Sequence, residues 1–194
     1  VEYTGADLNW FIDQWLETTK NIDYAVGKVK QKKENEGSYN VDITFLRKGR
    51  MHMPIDFRVV TTNGDSLDFY IPNTWFEKKT DAQTLDRWIG WDKLNPKYTA
   101  SINSPAKVKN IIIDPSERLA DIYTPDNSKK RRIKVQYDDL TYNRSDWRNY
   151  RIYMRPDLWW NAYDGFKLGF HANGNYMKTI HNWSFTFWGN LGVP

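Results

Sequence analysis

From Tyr39 to Phe45 apolar and polar residues alternate strictly, with Tyr39, Val41, Ile43 and Phe45 set against Asn40, Asp42 and Thr44. A chain with this period of two can gather its apolar side chains on one face only as an extended strand. Ile55, Phe57 and Val59 repeat the pattern, and Leu67, Phe69 and Ile71 return it across Asn63-Gly64, the strongest short hairpin signal in the chain. Tyr24 and Val26 lead through a charged loop, Lys32 to Gly37, into the Tyr39 run, which predicts a second hairpin. Val108 to Ile113 reads as a buried strand closed by Asp114-Pro115, and Ile133, Val135 and Tyr137 supply a late strand; Asp81 to Trp91 fits neither period. About seven short strands at such spacings predict a mainly β fold, an antiparallel sandwich of the immunoglobulin-like kind.

Two segments lie outside this pattern. Leu8, Phe11, Ile12, Trp15 and Leu16 share one face of an N-terminal amphipathic helix, with Asn9, Asp13, Gln14 and Glu17 elsewhere on it. Thr4 is placed to cap this helix, Asp7 favours the positive end of its dipole, and Thr18 to Asn21 end it. Its apolar area exceeds what a lone terminal helix needs, so it either docks on the following sheet or closes a domain that precedes it. At the other end, Pro156 and the polar stretch Asn161 to Gly165 set off a tail in which Phe166, Leu168 and Phe170, then Trp183, Phe185 and Phe187, alternate about Asn173-Gly174. This predicts a C-terminal β-hairpin extension. The expected organisation is a helix over 1–21, a sandwich over 22–145 and an aromatic-rich β extension over 146–194.

Composition excludes several classes of function. The chain has 194 residues and no cysteine, hence no disulfide framework, no thiolate zinc site and no cysteine nucleophile. A mean hydropathy of −0.78 without an apolar run near twenty residues is not that of a transmembrane helix, and the first residues lack the order of a secretory signal, which an exported chain would carry upstream. The 28 basic and 24 acidic residues are interleaved, unlike the stripe of a nucleic-acid binder, so nucleic acid is not an expected partner. The one basic cluster, Lys129 to Arg132, reads as a solvated turn before a strand.

Chemistry-bearing patterns are sparse. His52, His171 and His181 have no H-E-x-x-H spacing, so no metal site is expected here. There is no G-x-S-x-G elbow, phosphate-cradling loop or dinucleotide fingerprint, and Asp114, Asp121, Asp126, Asp138 and Asp139 sit where aspartates commonly bond turn backbone. No catalytic residue is assigned. Trp75, Trp88, Trp91, Trp159 and Trp160 are candidates for stacking on a ligand such as a sugar ring, against the plainer role of filling the core.

The run Asp7-Leu8-Asn9-Trp10-Phe11-Ile12-Asp13-Gln14-Trp15-Leu16 resembles the closing helix of the catalytic domain in the aminopeptidase N (gluzincin) family, where it hands over to a β-sandwich. The strand from Tyr39 to Leu46, the Met53-Pro54-Ile55 strand start, the Asn63-Gly64 turn and Ile111-Ile112-Ile113-Asp114-Pro115 followed by Asp121 resemble that family's β domain in order, over about residues 5–127. The resemblance implies a zinc-bearing catalytic domain preceding Val1, with none of its metal ligands or catalytic residues in this chain and therefore no cofactor here. Leu8, Phe11, Ile12, Trp15 and Leu16 would then form the interface to that domain, through which alone a peptide substrate is met. In the tail, Arg155-Pro156-Asp157-Leu158-Trp159-Trp160-Asn161 and Asp164-Gly165-Phe166-Lys167-Leu168-Gly169-Phe170 look like the start of an outer-membrane-type β-barrel appended to some bacterial envelope peptidases. That likeness implies membrane association through the extension and a place in the bacterial periplasm or outer membrane. The leading expectation is a non-catalytic sandwich packing on an upstream metallopeptidase domain. The alternative is an autonomous carbohydrate-binding or adhesion β-module using exposed tryptophans.

Overall fold

The computed structural model describes residues 7–34, 37–163 and 165–191. They are mainly β, with one α-helix, three sheets and, among the described residues, no sheet closed into a barrel. Two compact units are formed, the first ending at Arg131 and the second beginning at Arg132.

The first unit holds α1 (Asn9–Leu16), β1 (Tyr24–Lys33), β2 (Tyr39–Arg47), β3 (Ile55–Thr61), β4 (Ser66–Ile71), β5 (Gln83–Thr84), β6 (Lys97–Ser104) and β7 (Val108–Ile113). One sheet runs β1-β2-β6 and the other β5-β4-β3-β7, antiparallel except for the two-residue β4–β5 pairing. Every second residue of β2 and β3 is buried, so Val41, Ile43 and Phe45 meet Ile55, Phe57 and Val59 in one core shared by both sheets. Phe57 stacks on Phe69 of the neighbouring strand at 5.0 Å and contacts Phe45 of the other sheet at 4.7 Å between ring centroids. This is sandwich-like packing, and the predicted β1–β2 and β3–β4 hairpins form, the first with a register shift between Val26 and Val29 and the second around Gly64 at φ +96°.

Strand β6 carries no strong sequence signal because its inward positions are Ala100, Ile102 and Ser104, two of them small. Its place is set by pairing along the whole of β2. The Asp81–Trp91 stretch is irregular apart from β5 and is held by backbone bonds to β4 and its continuation, Leu85 N–H to Tyr70 O at 2.8 Å and Trp88 N–H to Pro72 O at 2.9 Å. Thr4, the expected helix cap, lies outside the described residues.

The second unit is a four-stranded sheet, ordered β11-β10-β9-β8, of β8 (Ile133–Tyr137), β9 (Tyr150–Asn161), β10 (Gly165–Tyr176) and β11 (Ile180–Asn190). It corrects the expected two-stranded extension in three respects. β8 does not belong to the sandwich: it pairs in parallel with Tyr150–Met154 of β9, which moves the boundary from 145/146 to 131/132. Asn161 and Gly165 pair with each other as the adjoining ends of β9 and β10, so no module boundary falls there, while Pro156 is accommodated inside β9 because it lies beyond the last residue paired with β8. The hairpin turn is Met177-Lys178, both at positive φ, with Thr179 N–H bonded to Tyr176 O at 3.1 Å. Asn173-Gly174 lies inside β10 instead, since Gly174 pairs with Trp183 and a Cβ there would fall 2.3 Å from the indole nitrogen. The indole occupies the room that a side chain would need.

Candidate functional site

Helix α1 attaches to the first unit by the side opposite its apolar stripe. Gln14 is buried; its Oε1 accepts the His52 backbone N–H at 2.7 Å and its Nε2 donates to Trp10 O at 3.0 Å. Trp10 stacks on Trp75 at 6.2 Å with 13° between the rings, and on Phe76 at 5.8 Å. Trp75 and Phe76 are positioned by buried Asn73, whose Oδ1 accepts both backbone N–H groups at 3.0 and 2.6 Å. Leu8, Phe11, Ile12, Trp15 and Leu16 consequently remain exposed on the far side, Leu16 by 79% and Ile12 by 46%. At 100° per residue, positions 10 and 14 oppose that stripe, so an anchor at Trp10 and Gln14 turns the five apolar side chains outward.

His52 is a core residue. Its Nδ1 is 2.5 Å from Gly90 O, which assigns the proton to that nitrogen, and its ring packs edge-on against Trp75 and Trp88. Burial, with the Arg47 guanidinium nearby, pushes its pKa down to about 4, so it is neutral across the physiological range and serves as packing.

The five tryptophans considered for stacking separate into three environments. Trp75 and Trp91 are exposed and share with Trp10 an open groove of about 830 Å³, edged by the carboxylates of Asp7, Asp13, Glu17 and Asp92. Trp88 is buried, with its indole N–H donating to Asn95 O at 2.8 Å and its ring against Tyr24 and Tyr98, so it cannot present a face to a ligand. Trp159 and Trp160 belong to the second unit and, as neighbours in β9, point to opposite faces of its sheet.

Asp121 and Asp126, read from the sequence as turn residues, join Asp23 in a carboxylate cluster of the first unit. Asp121 accepts the backbone N–H groups of Tyr24 at 2.9 Å and Tyr123 at 2.8 Å, and buried Asp126 pairs with Lys48. Asp23 lies beside them with one buried oxygen lacking a partner among the described residues; burial, and then the Asp121 and Asp126 charges, push its pKa up to about 7. Between about pH 4 and 7 the folded chain holds this proton more tightly than the unfolded chain does, so stability falls as pH rises through that window. Asp23→Asn, which mimics the neutral acid, should therefore raise stability at pH 8 by roughly 1–2 kcal/mol, discounted for solvent screening of a half-buried group, and leave it nearly unchanged at pH 4. Urea midpoints at the two pH values check this, and equal gains at both would contradict the assignment.

Among the described residues no group of three or more histidines and carboxylates could hold a metal ion. Comparison with known proteins finds no matching family model, curated protein or solved structure.

Proposed function

We propose that the first unit is a non-catalytic, immunoglobulin-like β-sandwich that packs, through the outward stripe of α1, against a zinc aminopeptidase-like catalytic domain encoded upstream. The observation that carries this reading is the direction of the stripe. Five large apolar side chains face away from the unit's own core, although burying each fully would contribute about 1.5–3 kcal/mol. A helix fixed by a buried glutamine and an aromatic stack is rigid enough to present such a stripe to a second protein surface. Any peptide substrate and zinc belong to that partner domain, and this chain contributes shape and an interface.

The reading frame upstream of Val1 should then encode a domain with an H-E-x-x-H helix. Produced as a separate polypeptide, that domain should bind this chain, and Phe11→Asp or Trp15→Asp should weaken binding by about 10- to 100-fold, as expected for aromatic anchors at an interface. A frame without such a domain, or binding indifferent to both substitutions, overturns the proposal. The groove bearing Trp75 and Trp91 supports a second reading as a carbohydrate-binding module. Glycan binding lost in Trp91→Ala and kept in Trp15→Asp would favour it.

A further inference from the structure

The sheet of the second unit has its polarity inverted relative to a sheet built for water. Its cross-strand register places Phe170 opposite Phe187 and Pro156, and Leu168 opposite Leu158, all on one face; Ile152 and Val135 continue that face toward β8. The face carries no charged residue on any of the four strands. It is open from Leu158 to Phe187, 68% and 61% exposed, and closes toward Ala172 and Tyr176, which are buried; on the reverse face the exposed large apolar side chains are Trp159 and Trp188.

The opposite face is charged and internally paired. Asp138, its side chain 5% exposed, accepts Arg155 Nη1 at 2.6 Å and Asn173 Nδ2 at 3.2 Å; Arg155 Nε donates to Asp157 at 2.8 Å; Arg151 Nη2 donates to Asp146 at 2.6 Å. Exposed hydrocarbon with enclosed ion pairs is the arrangement expected of a sheet whose outer solvent is lipid and whose other side meets water.

Strand length and residue placement fit the same solvent. β9 and β10 have 12 residues each and β11 has 11. At about 3.3 Å per residue and a tilt of about 40°, such strands cross roughly 25–30 Å of hydrocarbon. On the apolar face of β9 to β11, Trp160 lies near one end of the strands, Tyr150 and Trp183 near the other, and Leu, Met, Phe, Pro and Ala between. Interfacial Trp and Tyr belong at the headgroup level on both sides of a bilayer.

We infer that β9, β10 and β11 span a membrane as part of a β-barrel wall, with the Leu168–Phe170–Phe187 face against acyl chains and the Arg151–Arg155–Asp138 face toward an aqueous interior. The outer edge of β11 pairs with no strand among the described residues, so in hydrocarbon it requires another strand to complete its ladder. The inference rests on the second unit alone and does not depend on the proposed role of α1.

The chain has no native cysteine, so single nitroxide labels can be placed without background. The full chain, refolded into dodecylphosphocholine micelles, would carry labels at Leu168→Cys or Phe185→Cys on one face and at His171→Cys or Ser184→Cys on the other. Collision rates with oxygen and with a water-soluble nickel chelate should alternate with a period of two: oxygen dominates several-fold at 168 and 185, the nickel chelate several-fold at 171 and 184. Comparable ratios on the two faces would overturn the inference. So would exclusion of both reagents from 168 and 185 with dipolar broadening between labels, which would show a second copy covering the face. Absence of bound detergent on the unlabelled chain in sedimentation would overturn it independently of any substitution.

Discussion

Phe57→Ala is expected to lower the stability of the first unit by about 3–5 kcal/mol, the range for deleting a buried phenylalanine where the surroundings cannot collapse. The ring is 1% exposed and held between Phe69 on its own sheet and Phe45 on the facing sheet. Its loss therefore opens a void on the line where the two sheets meet, and backbone pairing on both sides, with β4 and with β7, prevents β3 from moving inward to fill it. Asp56→Ala, one residue away, removes only a partly exposed pair with Lys78 at 2.6 Å and should change stability by less than about 1 kcal/mol. The shift in urea midpoint of the first unit's transition measures both. Equal effects would mean that the alternation in β3 does not set inside from outside.

Gly49→Ala should cost about 3 kcal/mol, at the upper end for overpacking, although only a methyl group is added. A Cβ at Gly49 would stand 2.5 Å from Asn21 O and 2.6 Å from Asp23 N, both backbone atoms. Those atoms cannot swing aside, because the loop after β2 is fastened to the start of β1 by the N–H of Lys48 and Gly49 to Asp23 O and of Arg50 and Met51 to Asn21 O, all within 2.7–3.1 Å. Gly64→Ala provides the contrast. Its φ of +96° strains an L residue, but no atom lies within 4 Å of the added carbon, so about 1–2 kcal/mol is expected. Thermal melts of the two variants compare a packing clash with a purely conformational penalty, and a larger loss for Gly64→Ala would refute the tight backbone approach at Gly49.

The outward stripe of α1 and the inverted sheet of the second unit have a common physical basis. In each, apolar side chains are displayed by a scaffold that makes polar contacts on its reverse side, Gln14 with His52 in one case and Asp138 with Arg155 in the other. Hydrophobicity alone would have turned both faces inward. What holds them outward is the set of buried hydrogen bonds on the reverse side, which would lose their partners on reorientation.

Strands β1 to β4, β7 and the Asn63-Gly64 turn are legible in the residue order, because alternation and turn chemistry are local: each residue's side of a strand follows from its neighbours two positions away. So are the helix and the membership of its apolar stripe. Which side of that helix docks is not, since the choice depends on Gln14 meeting His52, 38 residues away. The same holds for β6, whose small inward residues are identified as a strand by pairing with β2, and for β8, whose alternation fits either unit until its parallel partner Tyr150–Met154 is in place. At Asn173-Gly174 a local turn signal is overridden because Trp183, from the next strand, packs where a Cβ would otherwise stand. Period and turn propensity act between near neighbours, whereas docking side, sheet membership and strand partner are settled by contacts between residues far apart in the chain.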